Sequence, residues 1–209
     1  YFKESNVTAL FEQGNREIGG EFAELRAYLL AKLVWDPDLD FDETMDDFLR
    51  GYYGAAGPPI RRYIDLLHDQ LERTGASLGI FGSPVQAKET FLSDSLLNVY
   101  ASIFDEAEDA VRTSPELLKR VKAARVPIIF SVLEIARDEK TGERGAFVLD
   151  TAGNRTPRGE IEQLAYEFLK LCNQKGVTRV SVGFSGLFYV KNQDREVSIV
   201  QKIINFLIY

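Results

Sequence analysis

Apolar residues recur every three or four positions in stretch after stretch of this 209-residue chain, and that spacing constrains the fold more than any single motif. Phe22, Leu25, Tyr28, Leu29 and Leu33 form one set, starting at Glu21 and stopped by Trp35 and Pro37. Met45, Phe48, Leu49 and Tyr52 form a second, and Ile60, Tyr63, Ile64, Leu67 and Leu71 a third. Each marks a helix with one buried face. Aspartates precede the second set, where a helix N-terminus carries partial positive charge. Pro58 or Pro59 suits the first turn of the third. A further helix runs from Leu96 to Val111, and Ser114-Pro115-Glu116 is a start signal for another that reaches toward Ile135. Pro127 inside it predicts a kink or a break, because proline lacks the backbone donor and crowds the preceding turn. Ile161, Leu164, Ala165, Phe168 and Leu171 make the last stripe, with Gly176 as its terminator.

Strand signals are few. Val7 to Phe11 reads as a short strand ending near Glu12, Ala146 to Leu149 as another inside a turn-rich polar connection, and "VTRVSVGF" as a third. Val197 to Leu207 reads as a terminal helix or strand too apolar to stay in water. The class is mainly α: a helical, bundle-like region with a few short strands. The chain divides into 1–36, a strand-loop-helix unit; 37–140, a helical domain; and 141–209, an α/β segment that belongs with the second or stands beside it.

A 45% apolar content supplies a sizeable core, and the net charge of −7 argues against a nucleic-acid partner, whose affinity rests on clustered Lys and Arg. No apolar run approaches the roughly 20 residues that span a bilayer. One cysteine, Cys172, and one histidine, His68, are too few for a structural zinc site. No Walker motif, dinucleotide fingerprint, calcium loop or metal-ligand spacing occurs, so neither a cofactor nor a metal is expected. The triplets at Asn6 and Asn154 match the glycosylation pattern, which is short enough to arise by chance.

Glu12, Gln13, Asn15, Glu17, Glu21 and Glu24 place carboxylates and amides around a glycine-containing loop. Paired carboxylates divide acid and base or nucleophile roles in sugar hydrolysis, and amides bind hydroxyls without adding charge. The same acids also suit a solvated loop and helix cap. Tyr52 and Tyr53 in "RGYYG" stack on a sugar or fill a helix seam, and Trp35 is read as packing. His68 reads as a surface or half-buried helix residue, and Cys172 as a buried inert thiol. "GFSG" at 183–186 lacks the spacing of a nucleophile elbow, which leaves an acyl hydrolase built on Ser185 and His68 weakly supported.

The run "FEQGN…GGEFAELRAYLLAKLVWDPDLDFDETMDDFLRGYYGAAGPPIRRYIDLLHD" resembles bacterial proteins carrying the domain of unknown function 4838. In that family a (β/α)-barrel related to alpha-glucuronidases and beta-hexosaminidase-type glycoside hydrolases is followed by helices. The resemblance is dense over residues 7–69 and thinner through "RVKAARVPIIFSVLEIAR" and "EQLAYEFLKLCNQKGVTRVS". It implies that Val7 to Phe11 is the last barrel strand, Glu12 to Gly20 its C-terminal loop, and Glu21 to Trp35 the closing helix, with Phe22, Leu25, Tyr28 and Leu29 against the barrel. Barrel active sites lie at the C-terminal ends of strands, so Glu12 becomes the candidate catalytic residue, with Gln13, Asn15, Tyr52 and Tyr53 binding an oligosaccharide. Such a barrel takes about 250 residues, so an upstream barrel domain of the same protein is an expected partner, and this chain alone is expected to be inactive. A periplasmic, cell-surface or secreted location is implied with it. The alternative is a non-catalytic helical packing or interaction module.

Overall fold

The computed structural model describes residues 3–11, 20–76, 79 and 82–177. Their fold is mainly helical: α1 (Ala23–Trp35), α2 (Phe41–Tyr53), α3 (Gly57–Thr74), α4 (Asp94–Ala110), α5 (Pro115–Glu139) and α6 (Gly159–Lys175). One antiparallel hairpin, β1 (Phe147–Leu149) and β2 (Arg155–Pro157), joins α5 to α6, with Val148 opposite Thr156. Asp40 caps α2 by accepting from the Glu43 amide at 2.9 Å. Prolines occupy the first turns of α3 and α5. Ser114 stands at the N-cap of α5, but its side chain makes no capping bond. Gly176 ends α6 at φ 71°, a conformation that favours glycine.

The helix α5 belongs to two cores at once. Val121, Ala124, Ile128 and Ile135 pack with α1 to α4, around Leu49, Ile60, Tyr100 and Phe104. Val126, Ile129, Leu133 and Ala136 pack with the hairpin and α6, around Ala146, Ala165, Phe168 and Cys172. The two stripes follow the same three- and four-residue spacing and lie about 100° apart, the angle from one residue to the next. Val132 touches both cores. Burial on two sides explains why α5 continues through Pro127 without the break that proline makes available. Ser131 donates to the Pro127 carbonyl at 2.9 Å. The hairpin is tied to the end of α5 by the Ala146 amide, which donates to the Ala136 carbonyl at 2.9 Å.

Ion pairs pin the helices at their rims. Arg61 of α3 reaches Asp42 and Asp46 of α2 at 2.7 and 2.8 Å, and Asp65 one turn along at 2.9 Å. Arg125 of α5 holds Asp105 and Glu108 of α4 at 2.6 and 3.0 Å.

Two expectations are corrected. Val7 to Phe11 forms no strand, because a strand exists only through a neighbour's backbone hydrogen bonds, and no described segment supplies them. Trp35 does not pack: it is 91% exposed at the end of α1. The expected strand at "VTRVSVGF" (177–184) falls, after Val177, outside the described residues, as does the apolar terminus at 197–207.

Glu134 is a buried cost. It is 5% exposed, pairs with Arg137 at 2.7 Å through one oxygen, and leaves the other without a hydrogen bond. Burial raises its pKa against the opposing pull of Arg137. A carboxyl that binds its proton more tightly folded than unfolded lowers stability as pH rises through that range, and the loss is complete above the raised value. Glu134→Gln should therefore gain about 1 kcal/mol at neutral pH and lose this limb of the pH dependence. Urea unfolding at acid and neutral pH checks this, and a variant less stable at neutral pH would count against it.

Candidate functional site

The start of α1, the end of α2, the middle of α5 and the end of α6 converge on one cleft. Gly20, Glu21 and Glu24 line it from the first, Tyr52 and Tyr53 from the second, Arg120 from α5, and Lys175 from α6. In sequence, Gly20 directly follows the carboxylate-rich segment 12–19.

The charged groups there are engaged. Glu21 accepts from the Tyr63 hydroxyl at 2.9 Å, and Glu24 pairs with Lys175 at 3.6 Å. Arg120 donates to the Tyr52 carbonyl at 2.9 Å while its guanidinium lies 4.5 Å from the centre of the Tyr52 ring. The same ring stacks on Phe48 at 5.0 Å and meets the edge of Tyr53 at 4.9 Å. Phe22 precedes α1 with φ 46°, a left-handed conformation unusual for a bulky residue. Its buried ring rests on Tyr63 at 5.9 Å, and that contact together with the Glu21–Tyr63 bond holds the unusual turn in place.

Of the five site residues read from the sequence, Tyr52 and Tyr53 come together here. Tyr52 is half-buried, and Tyr53, 3% exposed, is a core side chain. Glu12, Gln13 and Asn15 lie outside the described residues, as do Glu17 and Ser185. His68 is exposed on α3. Cys172 is fully buried in the second core, where burial pushes its thiol up to about 12, the inert thiol expected. Arg120 and Lys175 were not anticipated, since they reach the cleft from helices about 70 and 120 residues away in sequence and no local pattern announces them.

The chemistry of the cleft is that of a clamp. Its volume of about 20 Å³ is room for little more than a water and far below the roughly 300 Å³ of a small-molecule pocket. Burial, then the Glu24 carboxylate, raises the pKa of Tyr52 and, further, of Tyr53, so both hydroxyls are neutral donors at physiological pH.

Among the described residues the fold is a mainly helical region with a polar cleft between α1, α2, α5 and α6. Over residues 1–65 the chain matches the model of the family described as Domain of unknown function (DUF4838). Neither the curated proteins nor the solved structures gave a match. No helix among the described residues is long and apolar enough to cross a membrane.

The buried tyrosines set the alkaline limit of the fold. Burial raises Tyr53 and Tyr63 strongly and Tyr100 to about 12. A phenol that ionises later in the folded than in the unfolded state contributes stability that is complete below pH 10 and is lost as pH rises through the folded value. Stability should thus be flat to about pH 10 and then fall steeply, each buried phenol adding at most about 1.4 kcal/mol per pH unit. Tyr53→Phe should make the fall shallower in alkaline unfolding curves, and an unchanged slope would contradict the assignment.

Proposed function

We propose that this chain is the C-terminal support region of a glycoside-hydrolase-like protein that degrades complex polysaccharide, without turnover of its own. In this reading α1 lies between the helical core described here and the upstream barrel domain, and the clamp at Gly20 fixes the root of the loop carrying Glu12, Gln13 and Asn15. A periplasmic or cell-surface location follows from the same reading.

The observation that carries it is the outer face of α1. Leu25 and Leu29 bury the inner face, as one amphipathic helix requires. Ala27, Leu30, Ala31, Val34 and Trp35 are nevertheless exposed on the other side. Exposed Glu24, Arg26 and Lys32 interrupt this surface, but a second apolar face on a helix calls for cover on that side as well. Leu10 and the 91% exposed Phe11, earlier in the chain, are further exposed apolar side chains. At about 1.5–3 kcal/mol for each large side chain buried, leaving these in water forgoes several kcal/mol. The family match over residues 1–65 spans α1 entire, and the substrate class is taken from the resemblance to glycoside-hydrolase-related barrel proteins set out from the sequence.

The alternative, a helical module with no part in sugar binding, draws on the cleft itself, where Tyr53 is buried and the Tyr52 ring is occupied by Phe48 and Arg120. The two readings separate on the loop. Under the first, saturable binding of uronosyl oligosaccharides by the barrel-containing protein should weaken in Gln13→Ala and Asn15→Ala and turnover should vanish in Glu12→Gln; loop variants without effect favour the module. Docking is tested separately. Leu30→Asp with Val34→Asp alters only exposed positions and should change stability by no more than about 0.5 kcal/mol each, yet abolish association of this chain with the barrel domain. Undiminished association would contradict the docking face, and aryl-glycoside turnover by this chain alone would contradict its passive role.

A further inference from the structure

A groove of about 600 Å³ runs between the first half of α5 and α6, and it shares no lining residue with the cleft. Its volume is within the range of ligand pockets, about 300–1,000 Å³. Along α6, Gln163, Tyr166, Lys170 and Gln174 line it at intervals of three and four, so they form one row about 16 Å long. Lys119 and Lys122 face that row from α5, one turn and two turns after Pro115.

The groove reverses the sign of the chain. The whole sequence carries −7, but three lysines and a single acid, Glu167, line these walls. Lys122 is shared with Glu108 at 3.7 Å. Lys119 and Lys170 are exposed and form no ion pair among the described residues. Two uncommitted ammonium groups on opposite walls attract a ligand bearing repeated negative charge. Tyr166 is 41% exposed, so its ring offers a face to an apolar ligand surface such as the C–H side of a pyranose. The two glutamine amides both donate and accept, which matches hydroxyls.

We infer that this groove binds an acidic oligosaccharide, its charged substituents on Lys119 and Lys170 and one sugar ring against Tyr166. The anionic character follows from the groove alone, whereas the choice of a glycan rests on the carbohydrate reading above. The groove thereby gives the helical region a grip on polymer remote from the loop, raising the local concentration of substrate for the barrel.

Calorimetric titration of the chain with a galacturonic acid hexamer, a sulfated hexasaccharide, a neutral glucose hexamer and hexaglutamate tests this. Saturable binding of one or both acidic glycans is expected, the arm that binds telling carboxylate from sulfate. The double variant Lys119→Gln/Lys170→Gln should weaken it at least tenfold. Tyr166→Ala should weaken it at least threefold and Tyr166→Phe not at all, which separates ring stacking from the hydroxyl. These positions are exposed, so the circular dichroism spectrum and melting temperature should stay unchanged. Groove binding is read on this chain alone and loop binding on the barrel-containing protein, so failure of the loop reading and failure of this one are distinguishable. The inference is overturned if neither acidic glycan saturates, if the neutral hexamer or hexaglutamate binds as tightly, or if the double lysine variant binds undiminished.

Discussion

Everything in this fold leans on α5, because one helix supplies a wall to both hydrophobic cores. Its two apolar stripes, offset by a single residue, bring α1 to α4 onto one side and the hairpin and α6 onto the other. The cleft exists because of that sharing. Arg120 on α5 reaches back to Tyr52 at the end of α2, while α6, packed on the far stripe, delivers Lys175 to Glu24. A helix serving only one core would hold one of these cations and not the other.

The same constraint explains where proline is tolerated. Pro127 removes one backbone bond from α5, a loss of roughly 3 kcal/mol in an isolated helix interior. Ile128 and Ile129, buried on opposite cores immediately after it, hold the chain helical through the gap. Tertiary burial overrides local preference here, and Glu134, about two turns after Pro127, shows that the same burial also carries a cost.

Much of this was legible in the residues themselves. The stripes of α2, α3, α4 and α6 were visible because each of those helices buries one face, and caps such as Asp40 and Gly176 are local chemistry. The hairpin strand at Phe147–Leu149 sits inside the stretch read as strand. What failed depended on partners far along the chain. The β-branched run at Val7 to Phe11 looks like a strand from composition, but pairing is non-local, and no described segment pairs with it. Trp35 was read as packing from its size, which says that a tryptophan wants cover and not that this region supplies it. Tyr53 could stack or pack on sequence alone, and its burial on the inner face of α2 decided for packing. Arg120 and Lys175 were invisible as site residues, since only the shared helix brings them to the cleft.

The docking proposed for the outer face of α1, against an upstream barrel domain, is open to direct measurement, because Trp35 is the single tryptophan of the chain and lies on that face. Its intrinsic fluorescence and its quenching by iodide can be compared between this chain alone and a protein in which the proposed barrel domain precedes it. The account requires a red-shifted, freely quenched indole in the chain alone, in keeping with 91% exposure, and a blue-shifted, protected one when the barrel is present. An indole as accessible in the longer protein as in the isolated chain would contradict it.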